Sequence, residues 1–183
     1  MTTPGRTQSW MGALPYAMIF AGAALRVIPH PPNFAPIGAL ALFGGAALPG
    51  VWAFAVPLAA LVLSDAVLGF YQGWVWVYGS FALIVLIGTA LRRRRTALKV
   101  AGAALASSVV FFAITNFGEW LGPLYPHTLA GLRADFIAAV PFFQNTALGD
   151  LAYAFAFFGI FESAAHLARP RAGRLSSAPH RTT

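Results

Sequence analysis

Apolar residues in this chain run in long blocks, and the polar breaks between the blocks mark the element boundaries. Six blocks stand out: Trp10–Ile28, Phe34–Leu48, Val51–Phe70, Trp74–Leu91, Ala97–Leu121 and Pro141–Leu167. A hydrocarbon core of about 30 Å is crossed by roughly 20 apolar residues of helix, and five of the blocks meet or approach that length. The second block is the exception, since roughly 15 residues rise only about 22 Å as a helix. It also carries Pro36, so it is expected to be tilted, broken or partly re-entrant. The pattern predicts an all-α membrane protein, a six-transmembrane-helix bundle whose second helix is short or broken. Its divisions are a cytoplasmic N-terminal segment over 1–9, the bundle over 10–167 and a basic, disordered cytoplasmic tail over 168–183, where Arg, Pro, Ser and Ala dominate.

Charge placement orients the bundle. Arg92, Arg93, Arg94 and Arg95 separate the fourth block from the fifth, and the positive-inside rule places such a cluster in the cytoplasm. With six spans both termini lie on the same side as this block. Of the 12 basic residues, ten then face the cytoplasm, and only Arg26 and Arg133 fall outside. Five spans would spoil that bias. Arg6, the apolar run after it and Ala21-Gly22-Ala23 also resemble a signal peptide with a cleavage site, which would remove the first span. With the first span retained, both termini stay on the side of the arginine block.

Composition agrees with the blocks. Hydrophobic residues make up 58% of the 183 and charged residues only 9%, against roughly 25% charged in soluble domains. Mean hydropathy is +0.70. A net charge of +7 suggests nucleic acid in a soluble protein. Here the basic residues flank apolar blocks or sit in the tail, so topology explains them and no nucleic-acid partner is expected. The chain has no cysteine, which excludes disulfides, thiolate metal sites and a cysteine nucleophile.

Polar residues inside apolar blocks carry the functional signal, because an ionisable group in hydrocarbon costs about 2.5–3.5 kcal/mol on insertion scales. Asp65 lies toward the outer end of the third block. Asn116 and Glu119, spaced i,i+3, share a face near the outer end of the fifth. Asn145, Thr146 and Asp150 open the sixth, and Arg26, His30 and Asn33 lie in the first connection. Four stretches thus bring polar groups to one outer depth, with Glu162 alone at the inner end. Either these groups cap helices and pair with one another, Arg26 with Asp65 or Asp150 for example, or they line a cavity that holds a small polar molecule. His30 has no second histidine nearby, and no metal site is expected. Phe70, Tyr71, Trp74, Trp76 and Tyr78, joined by Trp120 and Tyr125, form an interfacial aromatic belt or wall that cavity, with Tyr78 the ring assigned to it.

Small residues mark close helix approach. Ala13, Ala17 and Ala21 recur every fourth position of the first block, for packing inside the bundle or for a partner protein. Gly38 and the Gly44-Gly45 pair are expected to serve packing inside the bundle.

Several longer segments carry a resemblance. They are His30-Pro-Pro-Asn-Phe-Ala-Pro-Ile-Gly-Ala-Leu-Ala-Leu-Phe-Gly-Gly45, Leu61-Val-Leu-Ser-Asp65, Val77-Tyr-Gly-Ser-Phe-Ala-Leu-Ile-Val-Leu-Ile-Gly88, Ile114-Thr-Asn-Phe-Gly118, Tyr125-Pro126, Thr128-Leu-Ala-Gly-Leu132, Pro141-Phe-Phe143 and Asn145-Thr-Ala-Leu-Gly-Asp150. Over about residues 20–165 the chain resembles an uncharacterised family of bacterial membrane proteins assigned to transport. That family is similar to the S components of energy-coupling-factor (ECF) vitamin transporters, small cobalamin-binding members included. The resemblance implies an ECF S-component-like bundle of six helices in the bacterial inner membrane that binds a vitamin on the extracytoplasmic side. It also implies that Ala13, Ala17 and Ala21 face a transmembrane coupling subunit. Some cobalamin-binding relatives ligate cobalt through cysteine; this chain has Ser80 in the fourth block and no thiol.

The function expected is uptake of a vitamin or similar small molecule, cobalamin-type as the first specific candidate. Arg26, His30, Asn33, Asp65, Tyr78, Asn116, Glu119, Asn145 and Asp150 are the expected ligand-binding residues. No cofactor and no enzymatic activity are expected. The 183 residues contain no phosphate-binding Gly-x-x-x-x-Gly-Lys-[Ser/Thr] loop, so energised uptake would need a separate ATPase module or another energy source. Two alternatives stay open: a membrane scaffold without ligand, and an intramembrane hydrolase using Ser80. The sequence around Ser80 lacks a G-x-S-x-G elbow, and no histidine lies mid-span to serve as its base.

Overall fold

The computed structural model describes residues 6–168, and every regular element among them is an α-helix. The order is α1 (Arg6–Leu25), α2 (Ile37–Ala47), α3 (Trp52–Leu68), α4 (Trp74–Ala90), α5 (Ala97–Trp120) and α6 (Leu129–Ala168). One helix answers each apolar block. Of the six, α5 with 24 residues and α6 with 40 are long and apolar enough to cross a membrane; the others are shorter apolar helices. Residues 1–5 of the expected N-terminal segment, and all of the expected tail beyond Ala168, lie outside the described residues.

The short second block forms one unbroken helix and is the hub of the bundle. Pro36 stands at its N-cap, where a missing N–H costs nothing. Nine of the eleven residues of α2 are buried, and it touches each of the other five helices. An eleven-residue helix rises about 16 Å, so α2 ends inside the bundle rather than traversing it. Its glycines allow the close approach. A Cβ on Gly45 would collide with the Val85 carbonyl and lie 3.1 Å from the Gly88 Cα, so α2 and α4 meet backbone to backbone. Phe43 packs edge-on against Phe158 and Phe161 of α6.

Because α2 ends inside, its last carbonyls need donors, and the arginine block supplies them. Arg92 donates from Nε to the Gly45 carbonyl and from Nη2 to the Leu48 carbonyl, each at 2.9 Å. Arg95 donates to the Ala46 carbonyl at 2.7 Å and pairs with Glu162 at 3.0 Å. Two arginines of the block are therefore C-terminal caps of α2, a role that topology alone does not reveal.

The last helix begins at Leu129 rather than at Pro141. Thr128 caps it, its hydroxyl accepting from the Gly131 N–H at 3.1 Å, and α6 passes through Pro141 as an internal residue. Proline removes only one ladder bond there, the one to the Ile137 carbonyl, so it does not stop a helix held by packing on α5.

The outer surface is apolar around the girth of the bundle. Val67, Leu86, Val109, Ile137, Leu148 and Ile160 are all more than half exposed. Ala13, Ala17 and Ala21 are exposed too: α1 buries the face carrying Met18, Ile19, Gly22 and Ala23 instead. The alanine stripe therefore does not pack inside the bundle.

Candidate functional site

The helices leave a cavity of about 550 Å³ at the end of the bundle opposite the arginine block. Its wall is drawn from the loop after α1, the start of α2, the end of α3 and the loop after it, α4 from its first turn to its middle, the last three turns of α5 and the middle of α6. Leu68, Val77, Phe81, Ile84 and Phe111 form the apolar part. Arg26, His30, Asn33, Tyr71, Thr115, Asn116, Glu119, Thr146 and Asp150 form the polar part.

Six of the nine expected binding residues therefore reach one cavity: Arg26, His30, Asn33, Asn116, Glu119 and Asp150. Asp65, Tyr78 and Asn145 stand behind it. Asp65 is wholly buried; it forms an ion pair with Arg26 and accepts from the Tyr78 hydroxyl at 2.9 Å. Arg26 also donates to the Ser64 hydroxyl at 2.7 Å, so the one cationic side chain whose charge faces the cavity among these wall residues is tied down. Of the two partners considered for Arg26, the fold supplies Asp65 and not Asp150. Asn145 donates its amide to the Pro32 carbonyl at 2.9 Å and pins the loop that carries His30 and Asn33 to α6. Asn33 itself holds a left-handed backbone, φ 61°, at the turn into α2.

Asp150 is buried against the first turn of α2. The Ser108 hydroxyl donates to its Oδ2 at 2.7 Å, and a Cβ on Gly38 would collide with the carboxylate. Gly38 thus lets a carboxylate approach the unpaired N–H groups at a helix N-terminus, a favourable place for negative charge. Nothing in the spacing of the sequence revealed that α2 would start at Asp150.

The aromatic cluster divides. Tyr71 lines the cavity, whereas Phe70 and Trp74 face outward. Trp76 covers Gly118 and packs edge-on against Phe117; the Trp120 indole donates to the Pro126 carbonyl at 3.0 Å. Burial, reinforced by the Asp65 carboxylate and opposed by Arg26, pushes the Tyr71 phenol above its ordinary value, so it stands at the cavity as a neutral hydroxyl.

Sequence reasoning missed Thr115 as a wall residue, named Tyr71 only as one of the aromatic rings that form a belt or wall the cavity, and named Thr146 among the polar groups without assigning it to binding. A threonine at helical spacing from Asn116 and Glu119 carries little signal, because its hydroxyl is satisfied by its own helix. Thr115 donates to the Phe111 carbonyl at 2.8 Å and Thr146 to the Phe142 carbonyl at 3.0 Å. Ser80 is fully buried outside the cavity wall, its hydroxyl donating to the Val77 carbonyl at 2.7 Å. Among the described residues no group of three or more His, Asp or Glu side chains is placed to hold a metal ion.

No curated protein and no solved structure matches the chain. A family model described as "Family of unknown function (DUF6580)" matches residues 7–172, and the chain belongs to that family.

Proposed function

We propose that this protein is an integral membrane protein that captures a vitamin-sized small molecule in the cavity at the end of the bundle away from the arginine block. The observation that carries the reading is the cavity itself. Its volume of about 550 Å³ falls in the range of small-molecule sites, and it combines apolar walls with a few convergent polar groups. The apolar girth supports the membrane setting, since soluble monomers rarely expose contiguous apolar surface on this scale. The arginine block supports a cytoplasmic position for the opposite end, with the cavity opening on the extracytoplasmic face of a bacterial inner membrane. All six helices would then lie within the bilayer, α2 held in its interior by the others.

A ligand-free scaffold gives no reason for unpaired polar groups around an open cavity. The hydrolase reading that uses Ser80 is disfavoured, because Ser80 is buried outside the cavity wall with its hydroxyl given to the Val77 carbonyl. Uptake would require a coupling subunit and an ATPase, and the outward alanine stripe Ala13, Ala17 and Ala21 is the surface available to such a partner. A corrinoid is the first specific candidate from the resemblance, although a cavity of about 550 Å³ would have to widen at its mouth to admit one.

The chain has no native cysteine, so single cysteines test both halves of the proposal. In intact cells a membrane-impermeant maleimide should label Asn33→Cys and leave Arg94→Cys unlabelled until the membrane is opened. In detergent, a member of a vitamin panel should raise the melting temperature of the wild type and not of Thr146→Trp, which fills the cavity. Equal labelling of both cysteines, or no stabilisation by any compound, would contradict the reading.

A further inference from the structure

Around the cavity, much of the hydrogen-bond donor capacity and the one arginine charge are engaged by the protein itself, while Tyr71, Asn33 and the second Asn116 amide hydrogen remain as neutral donors. The Thr115 and Thr146 hydroxyls and one Asn116 amide hydrogen are given to carbonyls of their own helices, at 2.8, 3.0 and 2.6 Å. What these groups still turn toward a ligand is chiefly lone pairs. The His30 Nδ1 donates to the Pro31 carbonyl at 2.9 Å, so that hydrogen too is given to the backbone. Arg26 is matched by Asp65. On the acidic side the balance differs. Asp150 has only the Ser108 hydroxyl and the α2 N-terminus, and the Glu119 carboxylate has no ion pair or hydrogen bond among the described residues. Outside the cavity wall, Asp135 of α6 adds a further carboxylate whose Oδ2 is buried without a partner.

We infer that the cavity selects an amphipathic organic cation, a ligand with an ammonium, amidinium or protonated ring nitrogen on an apolar body. This rests on the small-molecule reading above and adds the charge of the ligand. The cationic head sits among Glu119, Asn116, Thr115 and Asp150, where every group offers an acceptor. The body lies against Phe81 and Phe111, whose ring centroids are 5.4 Å apart. Aromatic faces attract cations as well as apolar surface, so the walls and the rim favour the same ligand. An anion would face two carboxylates with one already neutralised arginine to set against them.

The test is a charge-sorted panel of nearly constant shape: tryptamine as cation, tryptophol as neutral compound and indole-3-acetate as anion, with thiamine, riboflavin and biotin as larger members of the same three classes. Melting temperature and affinity are measured for the purified protein and for Glu119→Gln and Glu119→Lys, an exposed position where substitution leaves the core intact. The inference expects cationic members to bind most tightly, their affinity to fall about tenfold or more in Glu119→Gln, and Glu119→Lys to abolish binding. Preferential binding of neutral or anionic members, or cation binding indifferent to both variants, overturns the charge assignment and leaves the small-molecule reading standing. No binding by any member at millimolar concentration overturns both.

Discussion

Arg26 and Asp65, from the loop after α1 and the last turns of α3, form an ion pair directly behind the cavity wall, with the Tyr78 hydroxyl on the other carboxylate oxygen at 2.9 Å. The pair fixes the side chain that closes the cavity on that side. Removing Asp65 leaves Arg26, part-buried and facing the cavity, without its counter-charge, which costs about 1.5–3 kcal/mol, the contribution of hydrogen bonds to charged groups. Asp65→Ala should therefore lower the stability of the folded protein by about that amount, measured by denaturant or thermal unfolding in detergent. Tyr78→Phe removes one hydrogen bond to a charged group and should cost about 1.5–3 kcal/mol. If Asp65→Ala unfolds like the wild type, the pair is not structural.

The four arginines of the block should be unequal. Arg92 and Arg95 cap the C-terminal carbonyls of α2; Arg93 and Arg94 make no hydrogen bond or ion pair among the described residues. Arg92→Ala and Arg95→Ala should each destabilise by about 2 kcal/mol, since hydrogen bonds to charged groups contribute about 1.5–3 kcal/mol. Arg93→Ala and Arg94→Ala should stay within about 0.5 kcal/mol of the wild type. Four equal effects would mean that the block acts only as a topology signal.

Gly45 and Gly88 meet across α2 and α4 with backbone on both sides. Neither neighbour can move aside as a flexible side chain would. Gly45→Ala should force the helices apart and cost at least about 1–3 kcal/mol, whereas Gly12→Ala, with open space at its Cβ, should be close to neutral. The two unfolding curves side by side check this.

Tyr71 gives a pH signature. A phenol whose folded value is raised contributes stability that is fully present below the unfolded value of about 10 and is lost as pH rises through the folded value. Spectrophotometric titration of tyrosinate should show a late-ionising step, and Tyr71→Phe should remove part of it. A Tyr71→Phe protein that keeps the whole late step and loses ordinary tyrosinate absorbance instead would place the phenol in ordinary solvent.

Much of the helix plan was legible because each apolar block yields one helix, and blocks are read from composition and length. The hub role of α2 was not. A block that looks too short to span reads as a defect, and only the packing partners of Gly45 and the donors Arg92 and Arg95 show that it is the buried centre. Helix α6 begins well before the sixth apolar block because Arg133 and Asp135 break the apolar run ahead of Pro141, while the Thr128 cap gives only a weak signal. For the cavity, outer depth alone gathered Arg26, His30, Asn33, Asn116, Glu119 and Asp150 correctly onto one wall. Depth does not reveal which way a side chain points, and so Asp65 and Tyr78 were grouped with the groups they support. Tyr71 was hidden among belt aromatics that share its chemistry.

The most direct measurement is mass spectrometry of small molecules released on denaturing the protein after mild purification, for the wild type and Thr146→Trp in parallel. Capture by the cavity predicts a compound near one per chain from the wild type and none from the filled variant. A wild type that releases nothing and gains no thermal stability from any added compound, or a compound retained equally by both proteins, would contradict it.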